Sequence, residues 1–340
     1  MGLLIRTTTT PACKHYRVLT PYGILRRRGI IDYQSSDDII IRPSYAGYNY
    51  IWQRYLTEPE HLAGMEIIHH LLGKVFLEID DDFMNLHPLN PAWDACNGVG
   101  KQERLRKILT QADGVIVSTR GLAEVYGVYN SNIAETHNGL DYTLWDKHIE
   151  FRRARKKNDG WIRIGYHGAG AHNLDMVAVR EAIPEVIRRT KRVKFVSIGD
   201  DWGRKLGWKL PENRYEIRPW LSFEDFGKLL WDIDIAIAPL ANIKFNLSKS
   251  NIKILENGAL GIPTVATRIG EYSRTITDGV DGLLVENGTQ NWTRAIMQLI
   301  TDVKLLRRIG VNVEKTVCDK WDAEKLSLEW ENGLRKIGVL

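Results

Sequence analysis

The sequence predicts an α/β protein made of two doubly wound domains with parallel sheets, and three observations predict it. Short apolar, β-branched runs alternate with amphipathic stretches along almost the whole chain, the pattern that βα units leave. The run that begins at Ile233, IDIAIAPL, is nearly continuous in its apolar character, as a strand buried on both faces must be. The length, 340 residues, accommodates about two domains at roughly 150 residues each.

Taken in order, the first half carries strand patterns at 17–20, 39–41, 48–52, 74–79 and 114–118, with helices at 59–72 and 101–112. Residues 138–161 are polar, basic and without periodicity, and read as a linker. Within them Arg152, Arg153, Arg155, Lys156 and Lys157 form a charge run, either solvated or in contact with an anionic membrane surface. A second series follows at once: strands at 162–166, 194–198, 214–217, 233–239 and 263–266, with helices at 175–189, 222–231 and 248–260. The expected division is 1–155, 156–320 and a terminal segment, 321–340.

Composition excludes several classes. Charged residues are 26% and hydrophobic residues 44%, a globular balance that rules out wholesale disorder. The net charge of +5 is too small for a dedicated nucleic-acid binder, although it suits an anionic ligand. Cys13, Cys96 and Cys318 lie far apart with no CxxC, which excludes a disulfide scaffold or zinc ribbon and fits a reducing cytoplasm. No apolar run approaches the ~20 residues of a membrane span, and the N-terminus lacks a signal-peptide pattern. The expectation is a cytoplasmic protein, with the basic runs as candidates for peripheral membrane contact.

Sheets of this kind bind ligands outside the carboxyl ends of their strands. After the strand at 233–239 a helix is expected to open near Ser248, with Ser248 and Ser250 as N-cap types. Its free N–H groups and positive dipole end suit a phosphate. Lys249 and Lys253 are unfavourable at that end of a helix unless an anion is near; the plain alternative is two solvated lysines. Glu256, three residues after Lys253, is either a hydrogen-bond partner for a ribose or sugar hydroxyl or one half of a surface pair. The turn IGYHGAGAH, with Gly165, Gly168 and Gly170, allows close approach of backbone to phosphate. Asp200 and Asp201 are equally turn formers and ligand contacts.

In the first half, Asp80, Asp81 and Asp82 follow a buried strand. Three carboxylates there suggest a metal site, a capped turn, or contact with an acceptor. Arg54 stands at another strand end. Gly23 and Arg26–Arg28 follow the strand expected at 17–20, where the arginines either bind an anionic acceptor or coat a solvated helix. His69 and His70, late in a helix, read as structural. Among eleven tryptophans, Trp220 and Trp52 are candidates for stacking on a sugar ring.

Across residues 160–316 several motifs stand together in order: GAGAH, FVSIGDD, RPWLSFEDFGKLLWDIDIAIAPL, KFNLSKSNIKILENGALGIPTVAT and GEYSRTITDGVDGLLVENGTQNW. This half resembles the donor-binding domain of GT-B glycosyltransferases of the retaining family 4. Phe245–Gly261 resembles a subgroup with an FNxxKSxxKxxE pattern, and EIDDDF a strand-end motif of the same subgroup. THNGLD, residues 136–141, resembles the PNGVD that closes the first domain, so Asn138 and Gly139 mark a turn. The resemblance implies two Rossmann-like domains facing each other across a cleft, with a final helix, 321–337, crossing back onto the first.

It also implies a nucleoside-diphosphate sugar as donor substrate. Lys249, Ser250 and Lys253 would hold the phosphates beside Ser248. Glu256 would take the ribose, and Gly168 and Gly170 would approach the diphosphate or sugar. Base contacts would come from backbone near Arg218, Pro219 and Trp220. At least one of Asp80–Asp82, represented by Asp81, would touch acceptor or sugar. No cofactor and no metal are implied, and no nucleic-acid partner; the acceptor would be a glycan, a lipid-linked sugar or a protein. Lys249, Lys253, Glu256 and Asp81 are thus the candidate catalytic residues. Two departures stand out. Ser248 replaces the first of two family glutamates eight positions apart, and no Arg/Lys pair follows the Gly-rich turn. The competing readings are a nucleotide-sugar epimerase or phosphorylase on the same domains, and a binding protein without transferase activity.

Overall fold

The computed structural model describes residues 2–154 and 159–340. Its twelve named strands form two six-stranded parallel sheets. The first contains β1 (Leu3–Arg6), β2 (Gln34–Ser36), β3 (Asn49–Gln53), β4 (Lys74–Ile79), β5 (Gly114–Val117) and β6 (Ile133–Glu135), in the order β2-β1-β3-β4-β5-β6. The second contains β7 (Ile162–Gly168), β8 (Val193–Gly199), β9 (Tyr215–Arg218), β10 (Ile235–Ala238), β11 (Thr264–Thr267) and β12 (Leu283–Val285), in the order β12-β11-β10-β7-β8-β9. The strand order in each sheet reverses between β1 and β3 and between β7 and β10. Those reversals open the crevices in which doubly wound sheets bind ligands.

Two expected strands do not form. Residues 17–20 belong to a helical stretch, a π-helical turn His15–Leu19 running into the helix Thr20–Arg27. Pro11 sits at a helix start, where its missing N–H costs nothing, and Pro21 sits at the junction between the π-helical turn and the helix after it. Val18, Tyr22 and Leu25 recur at helical spacing and are buried together. The first strand is instead the short run Leu3–Arg6. Residues 39–41 are irregular, with Ile39 and Ile41 packed against the first-domain core.

The expected linker is largely a helix, Tyr142–Ala154. Trp145, His148 and Ile149 are buried, and Trp145 and Ile149 cluster with Phe226, Leu229 and Leu230. Arg152 continues this face and donates to the carbonyls of Leu230, Trp231 and Ile233 at 3.0, 2.8 and 2.9 Å. Arg153 pairs with Glu314. Arg155, Lys156 and Lys157 lie outside the described residues. The expected helix 175–189 divides into Asn173–Val177 and Ala182–Arg189, and 222–231 is a 3-10 helix, Phe223–Leu230. Among the described residues no helix is long and apolar enough to cross a membrane.

The final helix, Ala323–Ile337, packs on the first sheet. Trp330, Leu334 and Ile337 are buried among Leu3, Ile5, Val18, Tyr22, Phe76 and Ile116. The crossing is pinned where Leu140 bridges Asp322. A Cβ on Gly139 would lie 2.7 Å from the Ala323 Cα, so the chains meet too closely there for a side chain. Arg27 pairs with Glu324 at 2.6 Å, Arg28 bonds Ser327, and Arg26 pairs with Asp32. The three arginines are therefore engaged in fastening this helix and its neighbourhood. Beneath it, Arg17 and Glu78 form a fully buried pair at 2.6 Å. The Arg17 guanidinium also bonds Thr136 and Asn138 and lies over the Trp330 ring.

Candidate active site

The two reversal points face each other. At the β7/β10 crevice the helix Ile252–Ala259 starts at Ile252, with Asn251 in the N-cap position and its side chain bonded to Thr275 instead of the helix, four residues later than the sequence suggests. Ser248 and Ser250 are therefore not its N-caps. Ser248 is buried against the first domain, where its carbonyl accepts a hydrogen bond from Thr119 Oγ1 at 3.0 Å. A Cβ on Gly121 would come within 2.9 Å of the Ser248 Cα. Ser250 precedes the helix beside the lysines. Lys253 and Glu256 share one face of the helix, one turn apart.

Glu256 is 7% exposed. Its Oε1 accepts a hydrogen bond from Tyr16 of the first domain at 2.8 Å, and its Oε2 lies 3.7 Å from His167 Nδ1. Burial pushes its carboxyl up to about 7, against the Tyr16 hydrogen bond and the Lys253 charge. Lys253 lies over the Tyr166 ring. Burial lowers its ammonium to about 8, although Glu256 favours the charge. Removing an ammonium from water without a full counter-charge is costly, and an anion bound here would remove that cost.

Lys249 reaches across the cleft to Asp81 Oδ1 at 2.8 Å and rests on the Phe245 ring. Asp81 Oδ2 accepts from Arg54 at 2.8 Å, and Arg54 also holds Asp80. Burial alone would raise Asp81, but Lys249 and Arg54 outweigh it and hold the carboxyl below the usual range. Arg54 has a φ of 62°, a left-handed conformation uncommon for a side-chain-bearing residue and frequent at functional sites. Asp82, 1% exposed, points elsewhere. It accepts from the N–H groups of Met84 and Asn85 at 3.1 Å each and from Asn85 Nδ2 at 2.9 Å. Asp80 and Asp81 thus share Arg54, while Asp82 turns away from them. Among the described residues no group of three His, Cys, Asp or Glu side chains converges to hold a metal.

At the end of β7 a Cβ on Gly168 would lie 2.6 Å from the Tyr166 hydroxyl, so packing requires this glycine. At Gly170 a Cβ would fit, its nearest neighbours, Asp200 and Lys205, lying at 3.7 Å. His172 closes the turn and bonds Asp175 at 2.7 Å. Asp175 also accepts from the Ala241 N–H and from Asn246 Nδ2 at 2.8 and 2.6 Å. The Gly-rich turn is thereby tied to the loop after β10. Asp200 pairs with Lys205 and Asp201 caps the Trp202–Leu206 helix, so both act in the turn.

Trp220 is 46% exposed beyond β9, its indole lying against Gly199. Trp52 is in the core and is not available to stack on a sugar. Arg218 is bound to Glu216 and Asp232. Gly23 lies inside the Thr20–Arg27 helix. The loop after the first strand is residues 7–10, four threonines. His69 bonds Asp113 and His70 the Glu66 carbonyl. Sequence reasoning did not single out Tyr16, His172 or Asp175. The His-x-x-Asp spacing after a Gly-rich turn was a legible signal for the last two. Tyr16 carried none, since its partner is 240 residues away.

Two whole-chain superpositions decide the fold. HepE of Anabaena, in complex with UDP and glucose, matches with a TM-score of 0.66 at 15% identity, covering 98% of this chain and 99% of that one. Sucrose-phosphate synthase from Thermosynechococcus elongatus matches with a TM-score of 0.67 at 14% identity, covering 98% of each chain. The fold is GT-B. Within this GT-B protein, residues 162–302 match the family described as glycosyl transferases group 1. A D-inositol 3-phosphate glycosyltransferase of Corynebacterium urealyticum is 40% identical over 70 residues, 20% of this chain and 15% of that relative. The GT-B cleft is where the ionic groups above meet.

Proposed function

We propose that this GT-B protein is a glycosyltransferase. It moves a hexose from a nucleoside-diphosphate sugar to a hydroxyl of a glycan, glycolipid or protein, with retention of configuration and without a metal. The observation that carries the reading is the placing of Lys249 and Lys253 beside Glu256 at the β7/β10 crevice, opposite Asp81 and Arg54. HepE has been crystallised with UDP and with UDP-glucose, which supports a nucleotide-sugar donor.

In this reading the diphosphate lies between the Gly168–Gly170 turn and residues 249–253. The ribose hydroxyls meet Glu256 in place of the Tyr16 hydroxyl, and the base lies toward Trp220. Asp81, released as Lys249 turns to the phosphate, accepts a hydrogen bond from a hydroxyl of the donor sugar or from a non-reacting hydroxyl of the acceptor. The acceptor oxygen forms its bond to the anomeric carbon as the bond from that carbon to the phosphate oxygen breaks. Attack is from the face the diphosphate leaves, and the departing phosphate takes the acceptor proton. Negative charge grows on the leaving group, where preorganised cations contribute most. Lys249 and Lys253 supply that charge, which supports a course without metal. No carboxylate nucleophile is needed, unlike the paired carboxylates of retaining glycosidases. Retention and the hexosyl group rest on the family resemblance.

The test is nucleotide release. Lys253→Ala should lower donor turnover by about 10²–10³-fold while the protein remains folded. Wild-type turnover in that variant would place the site elsewhere.

A further inference from the structure

The Gly-rich turn carries a histidine to which the reaction above assigns no role. His172 ends the turn Gly170–His172 that follows β7, its Nδ1 2.7 Å from Asp175 Oδ2. The other oxygen of Asp175 is occupied by the Ala241 N–H and Asn246 Nδ2, so the carboxylate cannot swing away. The ring is braced from behind, with Nδ1 donating. Among the described residues, Nε2 has no hydrogen bond to the protein.

The charged and titratable groups facing this ring come from every side. They are Asp175 on its own segment, His167 on β7, Lys249 and Lys253 from beyond β10, and Asp81 from the opposite domain. Burial and the two ammonium groups keep the imidazole neutral, its pKa lowered to about 4. A neutral ring that donates through Nδ1 presents a bare lone pair at Nε2. A phosphate oxygen placed there would oppose lone pair to lone pair unless a proton joined them. The same anion would offset the repulsion from the lysines that keeps the ring neutral. The resemblance would put an Arg/Lys pair after this turn; here His172 is the basic residue present.

We infer that His172, braced by Asp175, is a ligand of the donor's leaving phosphate, taking up one proton from solvent at Nε2 as the diphosphate binds and donating it as a hydrogen bond. This rests on the nucleotide site proposed above. No other bond changes in the step.

The experiment titrates the full chain, as wild type, H172A and H172Q, with UDP, ADP, GDP and the matching monophosphates. For the diphosphate that binds, H172A should weaken binding roughly 10–100-fold and weaken the monophosphate by less than about threefold. H172Q retains an N–H donor and should recover part of the loss. Calorimetry in buffers of different ionisation enthalpy at about pH 6 keeps Lys253 charged throughout. There the wild type should take up a proton that H172Q does not. Equal diphosphate affinity in H172A, equal losses for mono- and diphosphate, or proton uptake unchanged in H172Q would each overturn the assignment. Should H172A fail to fold, H172Q alone decides by its proton count. A folded wild type that binds none of the three diphosphates would overturn the nucleotide site itself.

Discussion

Lys253 is an ammonium held where charge is costly, in a crevice whose other groups, Glu256 and the Tyr166 ring, compensate it only in part. Its pKa of about 8 has a consequence with a definite sign. The charged form binds an anion, and a bound diphosphate raises the pKa further. Diphosphate affinity is therefore expected to decline as pH rises through about 8, by up to about tenfold per pH unit. Titration from about pH 7 to 10 should show this decline in the wild type and its absence in Lys253→Met. Arg17 poses the complementary case. It pairs with Glu78 at full burial, so Arg17→Met leaves a buried carboxylate alone and should cost about 3–5 kcal/mol. Chemical denaturation would measure it, and adding Glu78→Leu should restore much of the loss. Lys249, Lys253, Glu256 and Asp80–Asp82 stand out by residue type and position, because cations near a helix start and carboxylates at a strand end are locally unusual, but plain structural readings stay open for each and their proposed roles come from the family resemblance. Arg17 does not stand out, since nothing local marks a buried ion pair.

At the scale of elements, period and length decided what was legible. The strand expected at 74–79 coincides with β4, and the helix at 59–72 forms as Pro59–His70. Both are long enough for their pattern to stand out. β2, β6 and β12 have three residues each, too few for any period, and β1 escaped notice in the same way. The Tyr142–Ala154 helix was hidden because its buried face is carried by Trp145, His148, Ile149 and the stem of Arg152, which reads as polar. The final helix is held by a titratable clasp. His137 lies 3.2 Å from Glu135 and 3.0 Å from Glu329 on that helix. Burial opposes its charge, but the two glutamates outweigh burial and raise its pKa to about 10. A raised folded-state pKa gives stability that is complete below the unfolded value, about 6.5, and lost as pH rises toward 10. With allowance for solvent screening, His137→Gln should lose about 1 kcal/mol near pH 6 and little near pH 10. Thermal melts of both proteins across that range would check the convergence.

Taken whole, the molecule is two doubly wound units whose crevices close on each other through side chains distant in sequence. Lys249 meets Asp81 and Tyr16 meets Glu256 across the cleft. In the proposed function a diphosphate and a ribose would displace these partners to occupy the same groups. Asp81→Asn, which removes the competitor for Lys249, should therefore tighten nucleoside-diphosphate binding by about three- to tenfold while slowing transfer to an acceptor. Unchanged affinity in calorimetry would mean that the ion pair does not compete with the ligand. The two-domain arrangement was legible from alternating βα patterns. The pairing of groups across the cleft was not, because it depends on how two sheets face each other. The central claim is that the β7/β10 crevice binds a nucleoside-diphosphate sugar and catalyses its transfer. The most direct measurement is nucleotide release from a panel of UDP-, GDP-, ADP-, dTDP- and CMP-sugars by wild type and Lys253→Ala, with melting temperature recorded alongside. One nucleoside-diphosphate sugar is expected to stabilise the wild type and release its nucleotide, with release lost in the variant and the CMP-sugars silent. Silence across the panel from folded protein, or equal release by both proteins, would contradict it.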